Sequence, residues 1–220
     1  MRVLTESAEG IARSPHVLAD LHVHGAEQIS IQQLASLLDQ IQRVTGDAEK
    51  LVLGRSKADL NARREPDSWS AAECFDHLAQ TTGAFLPAIA DAVASAPNLA
   101  TNRALRTGTL ALLFIRNLEP PYRFRFKVLA HLAPQNQDFA VAWEGFMESQ
   151  SQLSATIRSA AGLAIDKVKV KSPVYARISY NIYGAFRILA AHERRHLWQI
   201  EQILGSLDRE QTLRSRKRFL

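Results

Sequence analysis

Apolar side chains recur every three or four residues in four long stretches of this chain. The stretches cover residues 28–53, 70–95, 138–160 and 179–204. Such spacing places apolar side chains along one face of a helix. In the first stretch the apolar positions are Ile29, Ile31, Leu34, Leu37, Leu38, Ile41, Val44 and Leu51. The pattern therefore predicts four amphipathic helices.

Residues that start or stop helices support these boundaries. Ser70, followed three residues later by Glu73, forms a capping-box pattern, so the second helix should begin at Ser70. Its end should precede Pro97. Gly205 follows the last apolar position of the fourth stretch, and glycine is common just beyond a helix. We therefore expect the fourth helix to end near Leu204.

The connections between the predicted helices are uneven in length. Within residues 98–137, prolines interrupt the pattern, and residues 107–118 could form a short helix. Residues 122–127 alternate aromatic and basic side chains, which suits a strand or an extended segment with its rings inward. Residues 167–171 alternate lysine and valine and predict a brief extended piece.

Together these elements predict an all-α protein, a four-helix bundle with a loop-rich insertion between the second and third helices. A chain of 220 residues is long enough for one sizeable core and short for two. We expect one bundle domain at residues 26–206. Residues 1–25 are predicted to be a poorly ordered extension, and residues 207–220 a basic tail.

Composition restricts the class of protein. Hydrophobic residues make up 46% and charged residues 22%, as in ordinary soluble globular proteins. No apolar run approaches the ~20 residues that span a bilayer, and no secretory pattern begins the chain. A cytoplasmic protein without membrane contact is expected. Much of the net charge of +5 lies in the tail, which favours a solvated segment over nucleic-acid binding.

Two histidines in the fourth predicted helix are the strongest chemical candidates. His192 and His196 are four residues apart, so their rings lie one turn apart on the same face. His196 falls within the apolar stripe, and His192 lies beside it. Two buried imidazoles repel each other when protonated and lack acceptors when neutral. A shared cation would satisfy both rings.

His77, two turns into the second predicted helix, is the third candidate ligand. It lies on the flank of that helix's apolar stripe, from which it can face a neighbouring helix. Three imidazoles with a fourth position left to water would form an open, catalytic type of site for zinc or a similar ion.

Two segments resemble the DinB-like (DinB/YfiT) superfamily. They are WSAAECFDHL at residues 69–78 and AHERRHLWQ at residues 191–199, within a resemblance that extends from about residue 34 to 204. The resemblance implies a four-helix bundle that binds a metal through one histidine of the second helix and an H-x-x-x-H of the last. The matching positions are His77, His192 and His196.

The resemblance also implies a range of activities. One divalent ion, zinc or nickel, is expected, and some relatives are S-transferases or isomerases that use mycothiol, bacillithiol or glutathione. We therefore expect an enzyme whose metal activates a thiol or water toward a small-molecule substrate. The principal alternative is a non-catalytic metal-binding bundle, a homodimer with a structural or stress-response role. Nucleic-acid binding through the basic tail is a third class.

Polar residues near the histidines are candidates for further roles. Glu193 could be a general base or an acceptor for an imidazole N–H, and Gln199 could bind a ligand or a metal-bound water. Glu73 is better placed than Asp76 for the former role but already has a role as a cap. Arg194 and Arg195 are predicted to point away from the stripe, although one could meet an anionic substrate at the pocket mouth.

Two other patterns have simpler explanations. Cys74 could be a fourth ligand, but buried cysteine more often packs as a small hydrophobic side chain. His22 and His24 resemble the H-x-H strand motif of amidohydrolases. That motif belongs to a barrel of ~250 residues, which the helical pattern does not support.

Overall fold

The computed structural model describes the backbone of residues 15–101, 103–121, 128–135, 138–175 and 177–218, and the side chains of those at 29–213, 215 and 216. The predicted extended segment at 122–127 lies outside the described residues, as do residues 1–14 of the predicted extension. Most of the described chain is helical. The elements are α1 (Pro15–Val52), α2 (Lys57–Asn61), α3 (Ala71–Ala94), α4 (Thr109–Leu118), α5 (Phe139–Ser159), β1 (Lys169–Lys171), β2 (Ser179–Asn181) and α6 (Ile182–Arg218).

The start of α3 follows from its capping box. The Ser70 hydroxyl accepts a hydrogen bond from the amide of Glu73 at 3.1 Å, and the amide of Ser70 donates to the Glu73 carboxylate at 2.9 Å. Both interactions satisfy amides that the first turn of a helix leaves without partners. The predicted helix start is confirmed, and with it the position of His77 two turns further on.

Two hydrophobic clusters form the interior, and each includes side chains of all four long helices. α3 contacts both α5 and α6, and α1 contacts the same two helices. The shorter α4 packs on α6. The largest fully buried side chains of this interior include Phe75, Phe146 and Phe186. The predicted all-α class is confirmed.

The fourth predicted helix differs from α6 at both ends. Residues 179–181 form β2, which pairs antiparallel with β1, so the helix begins at Ile182. The predicted stop at Gly205 is wrong, because α6 continues to Arg218. A single glycine costs a helix only ~1 kcal/mol. Contacts beyond it offset that cost, since Arg55 pairs with Asp208 and Gln211 donates to Asp59 at 2.9 Å.

Three other predicted elements agree with the structure more closely, and the first predicted helix does not. α5 follows an Asp138 cap, α4 occupies most of the proposed short helix, and β1 lies in the proposed extended piece. α1 begins at Pro15, earlier than the predicted start at residue 28. Within the described residues, no helix is both long enough and apolar enough to cross a membrane.

Candidate metal centre

α3 and α6 bring the three predicted histidines into one cluster. His77 comes from α3, and His192 and His196 come from successive turns of α6, which packs against α3. One ring nitrogen of each histidine lies within 4.8 Å of the others. His77 and His196 are buried and His192 is half-buried. The cluster could hold a metal ion.

A backbone carbonyl fixes the tautomer of the His77 ring. Its Nδ1 lies 2.6 Å from the carbonyl oxygen of Leu132, in the short 3-10 turn before α5. A carbonyl only accepts, so Nδ1 carries the proton and donates it. Nε2 is then left with its lone pair. A backbone partner on the far nitrogen is the usual arrangement for a metal-binding histidine.

The opposing nitrogens have the separation that a shared ion requires. Nε2 of His77 lies 3.3 Å from Nε2 of His192. Two nitrogens each about 2.0–2.1 Å from a tetrahedral zinc ion would be about 3.3–3.4 Å apart. This separation is compatible with a shared ion on the Nε2 atoms. The Nδ1 atoms of His192 and of His196 are buried and have no hydrogen-bond partner among the described residues, unlike Nδ1 of His77.

The electrostatics of the cluster favour neutral imidazoles. Burial lowers the pKa of His77, although its bond to Leu132 partly opposes this. Burial also lowers the pKa of His192 and of His196 well below the ordinary value, and the neighbouring imidazoles add to the effect. Neutral rings keep the lone pairs that a divalent ion needs.

An indole packs against the histidine cluster. The Trp69 ring lies 4.9 Å from the His77 ring and stacks on the His196 ring at 6.0 Å, measured between centroids. Trp69 is placed by the residue that follows it, because Ser70 caps α3. The indole therefore restricts the orientation of two of the three rings.

The cluster opens into a cavity of about 750 Å³. This volume lies within the range of small-molecule sites. All three histidines line it, together with Trp69, Gln199 and Arg195. Much of the remaining wall is apolar and includes Phe85, Phe114, Leu118, Leu132 and Leu189. A ligand in the cavity would therefore meet the histidine nitrogens at one side and hydrocarbon elsewhere.

The two residues predicted to be catalytic lie in different surroundings. Gln199 lines the cavity beside the histidines. Glu193 is fully buried and accepts a hydrogen bond from Gln150 of α5 at 2.8 Å, away from the cavity wall. Burial raises the pKa of Glu193 to about 7. The catalytic roles of both residues stay predictions.

The other acidic candidates have structural partners. Glu73 caps α3 and also accepts from Arg63 Nε at 2.8 Å. Burial alone would raise the pKa of Glu73, but the bonds from Arg63 and Ser70 outweigh it and lower the pKa. Asp76 accepts from the backbone amide of Gln135. Neither carboxylate belongs to the histidine cluster.

Cys74 lies in the hydrophobic interior beside Phe75 and outside the histidine cluster. Burial raises the pKa of its thiol, which disfavours the thiolate that a metal would need. The packing role is therefore better supported than the ligand role. The side chains of His22 and His24 lie outside the described residues.

Of the two arginines between the histidines, Arg194 agrees with the prediction and Arg195 does not. Arg194 pairs with Glu119 and donates to Gln40 at 3.0 Å, as expected of a surface residue. Arg195 was predicted to point away from the interior, but it is 6% exposed and lines the cavity. α4 packs on α6, and the carbonyl oxygen of its residue Asn117 accepts a hydrogen bond from Arg195. A helical wheel of one helix does not contain that information.

Three further features of the site have weak or absent sequence signals. Trp69 belongs to the motif but has no ligand chemistry that would single it out. Thr81, one turn after His77, lines the cavity with a buried hydroxyl that has no partner among the described residues. Leu132 acts through its carbonyl oxygen, which no side-chain pattern reveals.

Comparison with known proteins gives the family. The sequence model of the DinB superfamily matches residues 40–200. A search of curated proteins and a search of solved structures each found no match. The family match includes both histidine-bearing segments and most of the length of the chain. The chain therefore belongs to the DinB superfamily.

Proposed function

We propose that His77, His192 and His196 hold one divalent metal ion, zinc or nickel, at the centre of an enzyme active site. The main support is the approach of two Nε2 atoms to 3.3 Å at the wall of a large cavity. A bound ion of this kind lowers the pKa of a thiol or water molecule and so supplies a nucleophile near neutral pH. The activity would be that of a thiol S-transferase or a hydrolase.

The protein's own groups would orient the site. The Leu132 carbonyl holds the His77 ring, and Trp69 packs against His77 and His196. The scaffold in this proposal is a four-helix bundle of α1, α3, α5 and α6. Gln199 would hydrogen-bond the substrate or the nucleophile from the cavity wall. Glu193 does not line the cavity. It would therefore influence the metal site only indirectly, through neighbouring residues of α6.

Metal analysis of a ligand variant tests the metal site. His196→Ala should bind at least about tenfold less zinc, because a tetrahedral site with three protein ligands loses one of them. His131→Ala is the matched control, since His131 is exposed on the 3-10 turn. Both proteins should be purified without a histidine tag. Full metal occupancy in His196→Ala would disprove the site.

The same variants separate catalytic from structural metal binding. Circular dichroism of His196→Ala should show nearly unchanged helix, because the long helices bury their apolar faces without the ion. A large loss of helix would instead favour the non-catalytic, structural alternative.

Cobalt substitution tests the thiol. A free thiol has a pKa near ~8.5 and is mostly protonated at neutral pH, whereas a metal favours the thiolate. Cobalt-loaded protein should therefore show a thiolate-to-metal charge-transfer band with glutathione, bacillithiol, mycothiol or coenzyme A. His77→Ala should lose it. No spectral change with millimolar thiol would favour water as the nucleophile, hence hydrolysis.

We further propose that the protein is a cytoplasmic homodimer that acts on a small molecule. Light scattering during size-exclusion chromatography measures the molar mass directly. A mass of one chain at all concentrations would remove the dimer from the proposal and leave the metal site unaffected.

A further inference from the structure

Arg195 places a permanent positive charge in the wall of the cavity. Its side chain is buried, with 6% of its surface exposed, and Nη1 lies 3.4 Å from the carbonyl oxygen of Asn117 in the last turn of α4. Guanidinium remains protonated at any physiological pH. Its charge acts on His192 and His196, where it adds to the larger effects of burial and of the neighbouring imidazoles in lowering their pKa.

The charges around the cavity are unequally distributed. The described carboxylates that line it, Glu65 and Asp67, are exposed in the connection before α3. Arg195 is buried beside the histidines. The guanidinium therefore lies at the histidine side of the cavity, whereas both carboxylates belong to exposed residues. A divalent ion on neutral imidazoles would add positive charge to the histidine side.

The rest of the wall suits an apolar body. Phe85, Leu118, Ile188 and Leu189 are buried residues of the wall, and Phe114 packs edge-on against Tyr180 at 5.7 Å. Burial of hydrocarbon against such a surface contributes ~25 cal/mol per Å². A fully hydrated, compact anion would leave this surface unused.

We propose that Arg195 is a specificity-determining residue that binds the carboxylate of an organic acid whose apolar part lies along the aromatic and aliphatic wall. The inference rests on the proposed function in taking this cavity as the substrate site. The guanidinium fork can donate two parallel hydrogen bonds to a carboxylate, and the apolar wall strengthens them by excluding water. A lysine side chain would supply the positive charge but not the two parallel hydrogen-bond donors.

Binding to metal-free protein tests this without relying on the metal. The probe is 4-phenylbutyrate, and its neutral counterpart is 4-phenylbutan-1-ol. Affinity is measured by isothermal titration calorimetry at pH 8, with quenching of Trp69 and Trp198 as a second readout, since both line the cavity. The acid should bind at least about tenfold more tightly than the alcohol, the amount a charge-assisted hydrogen bond contributes.

Variants assign that preference to Arg195. Arg195→Gln should lose the preference for the acid and keep its affinity for the alcohol within about twofold. Arg195→Met tests the same loss with a side chain suited to an apolar wall, should the glutamine variant not fold. Arg194→Gln is the matched control, because Arg194 pairs with Glu119 outside this cavity. It should bind both probes like the unaltered protein.

Several results would overturn the proposal. They are equal binding of acid and alcohol by the unaltered protein, no binding of either at millimolar concentration, or a preference for the acid that survives in Arg195→Met. Metal occupancy is measured separately on the same preparations. Acid binding without metal binding would overturn the proposed metal centre and keep Arg195. Metal binding without a preference for the acid would overturn the role of Arg195 and keep the metal centre.

Discussion

Two pairs of an arginine and an aspartate, one close to the start of α6 and one near its far end, differ in their surroundings. Near its start, Arg103 donates to Asp166 with Nη2 at 2.8 Å, and the amide of Arg106 donates to the same carboxylate at 3.2 Å. Near its far end, Arg55 donates to Asp208 with Nη2 at 2.8 Å. The Asp166 side chain is 2% exposed and that of Asp208 is 48% exposed.

From this difference we expect burial, rather than pairing alone, to decide how much each contact contributes to stability. An exposed pair contributes ~0–1 kcal/mol because water and salt screen it. Removing one partner of a buried pair leaves an uncompensated group and costs several times more. The Arg103–Asp166 pair thus connects the chain that leads into α4 to Asp166, whose backbone carbonyl accepts from Nδ2 of Asn181, directly before α6, at 3.2 Å. At the far end Asp208 belongs to α6 itself, and its pair is more exposed.

The largest expected effect is therefore at Asp166. Asp166→Asn should lower the free energy of unfolding by about 2 kcal/mol, since the buried acceptor of the bonds from Arg103 and from the Arg106 amide loses its charge. Urea denaturation measures this. Asp208→Asn, the same substitution at the exposed pair, should cost under about 1 kcal/mol. Equal losses in the two variants would show that burial does not distinguish the pairs.

Acid should remove the advantage of the buried pair. Burial alone would raise the pKa of Asp166, but the hydrogen bonds from Arg103 and Arg106 outweigh it, and the folded pKa lies below the ordinary value. The stabilisation is thus complete above the unfolded pKa of ~3.9 and is lost as the pH falls through the lower folded value. The difference in stability between the protein and Asp166→Asn should be constant from pH 7 to 5 and shrink below pH ~4. A difference that grows toward acid would contradict this.

The comparison also separates what the sequence can predict from what it cannot. The start of α3 is encoded locally, because Ser70 and Glu73 satisfy each other's amides within one turn. The H-x-x-x-H spacing is encoded by the helical repeat. Both predictions are confirmed by geometry, and together they place His77 opposite His192 and His196.

Features that depend on contacts distant in sequence were missed. The extension of α6 beyond Gly205 depends on Arg55 and Asp59, about 150 residues earlier in the chain. The burial of Arg195 depends on α4, whose Asn117 carbonyl lies against it. Neither tertiary contact is visible in the periodicity of a single helix.

A smaller effect is expected at Asn181, directly before α6. Its Oδ1 accepts from the amide of Gly184 at 2.7 Å, and its Nδ2 donates to the carbonyl of Arg106 at 2.8 Å. Asn181→Ala should cost about 1 kcal/mol, as loss of a helix cap does. Asn181→Ser should recover part of this, because serine also caps. Equal stability of the alanine variant and the unaltered protein would contradict the capping role of Asn181.

The smallest effect is expected from removal of residues 211–220, at the far end of α6. Gln211 donates one exposed hydrogen bond to Asp59, and Leu213 is 59% exposed, so few buried contacts are lost among the described side chains. The Asp208 pair is retained. A loss below 1 kcal/mol would lower the melting temperature by no more than about 2–4 °C in a protein of this size. Differential scanning calorimetry measures the shift, and metal analysis of the same variant should show unchanged occupancy, since the histidines lie between the two ends. A larger shift would mean that the last turns of α6 pack on the protein as firmly as its start.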